Sequence, residues 1–200
     1  MHQPLVIKII TLLLVFNFIS CATNAQIEPK NKDVYKIINN ELNYLASHIE
    51  MEKVFLEKRL TNHLLGDLED LKFQKEDYQY HYLTTFFSLP KKEFEYLFNE
   101  DQINQYKKQF IGEIIIDSSK LENKKIIIID LKNTTNKLSY YNDKGLIVLS
   151  YPVFTKNKKY SLIKYYIGDY HRNSGKEGFT IYKKENNKWI LYRRIGLGIG

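Results

Sequence analysis

The sequence predicts an α+β domain in which N-terminal helices pack on a C-terminal antiparallel β-sheet, arranged as a meander or as a cone-like sheet. Three observations predict it. Between Asp33 and Phe110, apolar residues recur mostly at three- and four-residue steps, the period of an amphipathic helix. Beyond Gly112 the pattern changes to short β-branched runs, Ile114-Ile115-Ile116 and Ile126 to Ile129, too brief for helices and suited to buried strands. Seven of the nine glycines lie at or after Gly145, where the turns of a meander should fall.

Composition is consistent with this. The 200 residues are 44% hydrophobic, 26% charged and 14% aromatic, enough apolar material for one core and too much for wholesale disorder. The one cysteine excludes a disulfide framework, and no cysteine–histidine grouping has the spacing of structural zinc.

At the N-terminus, Lys8 precedes an apolar stretch from Ile9 to Ile19. About eleven residues suit the core of a secretory signal and fall short of a bilayer span. Two cleavage readings remain open. Phe18-Ile19-Ser20-Cys21 is similar to a bacterial lipobox, which would lipidate Cys21 and attach the chain to a membrane; Phe18 stands where that motif usually has leucine. Thr23-Asn24-Ala25 before Gln26 has instead the small-x-small pattern of ordinary cleavage. Residues 1–25 therefore read as a signal peptide, 26–32 as a polar tether and 33–200 as one domain. Beyond the leader no apolar run reaches the ~20 residues of a transmembrane helix, so the body reads as soluble.

In the domain, Val34, Ile38, Leu42, Leu45 and Ile49 mark a first helix, capped by Asn31 or Asp33. Val54, Phe55, Leu60, Leu64, Leu68 and Leu71 mark a second helical stretch, interrupted by Gly66. His81 to Phe87 is aromatic and ambiguous. Pro90 opens a short helix with Phe94, Leu97 and Phe98 on one side. Asn99-Glu100-Asp101-Gln102 reads as a capping box for the next, through Ile103, Tyr106 and Phe110 to Gly112. Strands follow over Leu146 to Phe154, Tyr160 to Asp169, Gly178 to Lys184 and Lys188 to Ile195. The first follows a turn at Asn142 to Gly145, and Pro152 assigns it to an edge or a bulge. Asn186-Asn187 supplies the last hairpin turn, because asparagine tolerates positive φ.

Charge is unevenly placed. Cys21 to Glu100 carries 10 basic and 14 acidic residues, whereas Asp101 to Gly200 carries 19 and 9. A basic C-terminal half suits a polyanion. It also follows from a composition rich in Lys, Asn, Ile, Tyr and Phe, with no ligand involved. Export excludes nucleic acid as the partner and leaves proteins, lipid headgroups or envelope glycans.

The C-terminal part carries one resemblance. Ser150-Tyr151-Pro152-Val153-Phe154, the basic turn Thr155 to Lys159, the strand Tyr160 to Ile163, and Tyr182 to Trp189 resemble a family of secreted and lipid-anchored proteins of the Bacteroidota. The likeness covers about fifty residues, with fainter similarity around Asn99 to Phe110. It implies the envelope of a Gram-negative bacterium and no particular chemistry. Lipoproteins of that group often carry acids just after the cysteine when displayed outside. Ala22 to Gln26 has none, which implies an anchor facing the periplasm.

The richest polar cluster is the loop Asp169 to Gly178, with Asp169, His171, Arg172 and Lys176 as candidate ligand-binding residues. Asp169, His171 and Ser174 supply the residue types of a hydrolytic triad, but such triads assemble from separate elements, and no GxSxG elbow surrounds Ser174. His48 with Glu52 and His63 with Asp67 have four-residue spacing, yet the ExxH order of helical dimetal sites is missing, so no metal is assigned. The acids and aromatics of Glu76 to Tyr82 read first as core or interface packing, with stacking on a sugar as the alternative; hydrolysis is not supported, since adjacent carboxylates do not face each other across ~5–9 Å. Trp189 reads as core. Gly196 to Gly200 ends the chain instead of opening a helix, which excludes a dinucleotide loop. Its alternating glycines admit close approach of another backbone. No cofactor is assigned. The leading expectation is a non-enzymatic, inhibitor- or immunity-like binding module for a protein or anionic envelope component. The alternatives are a polymer hydrolase using the Asp169–His171 loop and an anionic glycan or lipid binder.

Overall fold

The computed structural model describes residues 32–49, 52–64, 66, 89–110, 113–133, 145–169 and 174–199. They form an α+β fold around a large mixed, mostly antiparallel sheet. Cys21, Leu68, Leu71, Glu76 to Tyr82, His81 to Phe87, Gly112, the 142–144 turn, His171 and Arg172 lie outside the described residues.

The first helix, α1, spans Lys32–Ser47 and buries Val34, Ile37, Ile38, Leu42 and Leu45 along one stripe. His48 sits just past its end. The Nδ1 of His48 donates to the Tyr44 carbonyl (2.8 Å), and its ring stacks 4.2 Å from that of Tyr44. The helix thus ends before Glu52, and the four-residue spacing of His48 and Glu52 does not lie on one helix.

The first half of the second expected helix is replaced by strands β1 (Val54–Glu57) and β2 (Arg59–Leu60), whereas His63, Leu64 and Gly66 are helical and Asp67 lies outside the described residues. The reason lies in the contiguous run Val54-Phe55-Leu56, buried throughout. Such a run suits a central strand covered on both faces, where a helix would expose part of it. β1 lies between β4 (Ile126–Ile129) and β5 (Leu146–Leu149), parallel to both. The sheet is therefore mixed where an antiparallel one was expected. β3 (Ile114–Ile115) pairs with β2 in a separate two-stranded sheet.

Helix α2 (Lys91–Phe98) follows Pro90, and α3 (Glu100–Lys107) starts at Asn99, whose Oδ1 accepts from the Gln102 N–H at 2.9 Å. Gln102 does not complete a reciprocal box. Its Oε1 accepts instead from the Lys156 N–H (3.2 Å), a tertiary bond that outcompetes the local one. Beyond β6 (Val153–Phe154), the strands β7 (Tyr160–Asp169), β8 (Ser174–Glu185) and β9 (Lys188–Ile199) form the expected meander. Asn186 and Asn187 adopt φ of 48° and 61°, the two left-handed residues of a tight hairpin turn whose twist matches its strands.

Helices were expected on one face of the sheet, but they cover both. On β7, Ile163 packs with α1 while its neighbour Leu162 packs with Phe94, Leu97 and Phe98 of α2 and Tyr106 of α3. On β8, Tyr182 and Ile181 divide in the same way. Successive side chains of a strand point to opposite faces, so consecutive apolar residues demand a layer on each side.

The facing glycines Gly178 and Gly196 differ in what surrounds them. A methyl on Gly178 would overlap the Ile195 carbonyl oxygen and lie 2.7 Å from the Tyr165 hydroxyl oxygen, whereas nothing comes within 4 Å of one on Gly196. The close approach expected of the terminal glycines is thus not found at Gly196 but at Gly178 across the ladder, and Gly200 lies outside the described residues. Gly178→Ala should lower stability by about 1–3 kcal/mol, the usual cost of overpacking. Gly196→Ala should be neutral or stabilising, because a side chain there restricts the unfolded chain. Paired thermal melts of the two variants check this.

Candidate binding surface

Glu41 lies on the buried stripe of α1 and is 0% exposed. A carboxylate taken out of water needs donors inside the protein, and four supply them. Arg194 of β9 donates through Nη1 to Oε1 (2.8 Å) and through Nη2 to Oε2 (3.1 Å). The Tyr182 hydroxyl donates to Oε2 (2.8 Å) and the Thr180 hydroxyl to Oε1 (3.2 Å). Burial pushes the Glu41 carboxyl up, opposed by Arg194, Tyr182 and Thr180. The Arg194 guanidinium lies 3.8 Å from the Tyr44 ring centre and 4.8 Å from that of Tyr165, where cation–π attraction replaces part of its lost hydration.

The other face of β9 is held by a second helical carboxylate. Glu93, in the first turn of α2, accepts from the Tyr160 hydroxyl at 2.8 Å and from the Tyr192 hydroxyl. Burial, reinforced by Glu93, pushes the Tyr192 phenol up to about 12. The same two causes push the Tyr160 phenol up, so both phenols are neutral donors near neutral pH. Strand β9 is thus tied down by Arg194–Glu41 on one face and by Tyr192–Glu93 on the other.

Between α1 and β9 runs a shallow groove. Asn40, Asn43, Tyr44, Tyr182, Trp189 and Leu191 line about 270 Å³ of it. A second hollow, sharing Asn40 and Trp189, extends it to Lys36, Glu122 and Lys188. The Asn40 amide donates to the Trp189 carbonyl (3.1 Å). Lys184 lies over the buried indole of Trp189 (5.2 Å) and donates to Asp33 (2.8 Å). The exposed large hydrophobic residues among those described are Tyr44 at 38%, Ile190 at 41% and Leu191 at 43%. All three lie along this groove or on the strand that forms its rim.

A different charge cluster lies at the carboxyl ends of β1 and β4. Arg59 donates to Glu113, Asp130 and Glu57 (3.1 Å to the last). Glu57 also accepts from the Leu131 N–H (2.8 Å), and Lys58 pairs with Asp130. The Arg59 hydrogen bond, aided by Lys58, holds the Asp130 carboxyl well below the usual carboxylate range. Each carboxylate here is engaged by a cation or a backbone amide. The cluster joins β1, β2, β4 and the segment before β3.

Of the loop residues singled out in the sequence, Asp169 ends β7 opposite Ser174, and Lys176 is exposed and faces Ile167 across the β7–β8 ladder. That hairpin end and the β8–β9 turn lie at opposite ends of twelve-residue β8, about 35–40 Å apart at ~3.3 Å per residue. The loop and the α1–β9 groove are therefore separate places. Among the described residues, no three His, Cys, Asp or Glu side chains group to hold a metal ion. Tyr44, Glu41, Leu191 and Arg194 were not singled out in the sequence. A signal for Glu41 was available: it stands four residues after Ile37 and four before Leu45, an acid on the apolar stripe.

No family model, no curated protein and no solved structure matches this chain.

Two stability predictions follow from these clusters. Glu41→Leu should cost about 3–5 kcal/mol, because it strands the Arg194 guanidinium, and Glu41→Leu with Arg194→Met should recover part of that loss; chemical denaturation of the double-mutant cycle measures the coupling. The Asp130 carboxyl titrates lower in the folded chain than the ordinary value of 3.8. Its stabilisation is therefore present above about pH 4 and lost as the pH falls toward the folded value. Asp130→Asn should flatten that acid-side decline in unfolding free energy.

Proposed function

We propose that the chain is an exported, non-enzymatic interaction module of the cell envelope that recognises a protein partner by contact, in the manner of an inhibitor or immunity protein. The N-terminal helix laid on the C-terminal meander serves as the platform, and lipidation at Cys21 would tether it to a membrane facing the periplasm. Among the described residues, no helix is long and apolar enough to cross a membrane.

The observation that carries this reading is the exposure of Tyr44 and Leu191 together on the α1–β9 groove, with Ile190 exposed on the opposite face of the same edge. Large apolar side chains exposed together on an otherwise buried scaffold favour a partner surface. Beneath them, Glu41 and Arg194 are committed to each other, and Glu93 to two phenols. These groups give the surface rigidity. A rigid surface loses less freedom on binding.

The test compares wild type with Leu191→Asp, a change at a solvent-exposed position that should leave the melting temperature unaltered. After cross-linking in envelopes of the native host, a partner recovered with the wild type should fall about tenfold or more with the variant, the loss expected when a central contact residue is removed. Identical recovery by the two proteins would overturn the reading.

A further inference from the structure

We infer that the hollow between α3 and the turn after β6 is a second binding site, taking one acidic sugar unit, a pyranose that bears a carboxylate or a phosphate. It shares no residue with the α1–β9 groove and is independent of the protein contact proposed above.

Three glutamines build its wall. Gln102, Gln105 and Gln109 stand three and four positions apart, along one face of α3 and just past its end. The outer two are spent on backbone. Gln102 accepts from the Lys156 N–H (3.2 Å), and the Gln109 amide donates to the Phe154 carbonyl (2.6 Å) and accepts from the Phe154 N–H (2.9 Å). These bonds hold the segment from Phe154 to Lys156 against α3. The turn that follows is braced by the buried Thr155, whose hydroxyl donates to Asn157 Oδ1 (2.8 Å) and accepts from the Tyr160 N–H (3.1 Å). Lys158 completes it at φ 53°, with its N–H bonded to the Thr155 carbonyl (2.8 Å). The hollow is therefore formed before any ligand enters, which lowers the cost of binding.

The groups left uncommitted inside it define the ligand. Among the described residues, the Gln105 amide, the Tyr151 hydroxyl and the Lys156 and Lys158 ammonium groups line the hollow without a partner. The two lysines are compact cations, suited to a carboxylate or a phosphate. No acid among the described residues lines the hollow. Of the acids nearby, Glu185 pairs with Lys183 (3.1 Å) and Glu93 accepts from Tyr160. Glu100 and Asp101, about one turn before Gln105, pair with neither Lys156 nor Lys158.

A primary amide and a phenol each donate and accept, as ring hydroxyls require. Burial pushes the Tyr151 phenol up, so it stays a neutral donor. Tyr151 and Phe154 add an apolar wall for the C–H face of a sugar. A bare inorganic anion would engage the lysines and leave amide, phenol and wall unused. The volume, about 290 Å³, lies at the small end of ligand pockets, ~300–1,000 Å³. It suits one ring and excludes a nucleotide.

Isothermal titration calorimetry with glucuronate, glucose 6-phosphate, glucose and inorganic phosphate tests the site, and the NMR shift of the Gln105 side-chain amide locates the ligand. At least one acidic sugar should bind with a Kd of about 1 mM or below and move that signal. The tighter of the two identifies the acid group. Glucose and inorganic phosphate should each bind at least about tenfold more weakly. Lys156→Gln with Lys158→Gln, both at exposed positions, should weaken the acidic sugar about tenfold or more at an unchanged melting temperature. No binding of either acidic sugar at about 10 mM would overturn the site. So would inorganic phosphate binding as tightly as the better sugar, or full affinity in the double lysine variant. Leu191→Asp should leave sugar affinity unchanged, so that failure of this site and failure of the protein contact are read separately.

Discussion

A carboxylate with no access to water sets the terms for everything packed around it. Glu41 can be buried only where hydrogen-bond donors await both oxygens, and the donors come from β8 and β9, which lie about 140–150 residues away in sequence. This requirement fixes how far α1 rotates about its axis and which turn of it sits over which strand. The consequences extend in both directions. Arg194 reaches Glu41 between the rings of Tyr44 and Tyr165, and Tyr165 fits because Gly178, its partner across the ladder, has no side chain. Tyr44 is thereby left at the rim, half turned to solvent.

The same logic operates on the opposite face. Glu93 holds Tyr160 and Tyr192, so each helical layer contributes one carboxylate that fastens β9. An outermost strand has a neighbour on one side only and depends on its faces for rigidity. Here both faces supply it. The outcome is an outermost strand whose side chains are anchored on both faces.

Much of the local structure was legible in the residues. The stripe Val34, Ile38, Leu42 and Leu45 announced α1, Tyr160 to Asp169 matched β7 in extent, and Asn186-Asn187 and Asn99 did what their side chains favour. These features depend on interactions within a few residues. The candidate surface was far less legible. Polar types cluster in sequence at Asp169, His171, Arg172 and Lys176, whereas the groove draws Asn40 and Tyr44 from one end of the domain and Trp189 and Leu191 from the other. Nothing in the run Lys188 to Ile195 set Leu191 apart. Only its place on an outermost strand leaves it exposed.

Alternation, caps and turn residues determined most of the elements from α1 to β9, because these are short-range preferences that every stretch carries with it. They could not determine that Val54 to Glu57 becomes a central parallel strand, since contiguous apolar residues suit a buried helix segment as well as a buried strand. Nor could they show that helices cover both faces of the sheet, or that an acid among apolar residues would find an arginine 153 positions later. Those outcomes were decided by the tertiary structure, because burial and hydrogen-bond satisfaction are properties of an assembled interior, and one residue's neighbours in space are set by all the others.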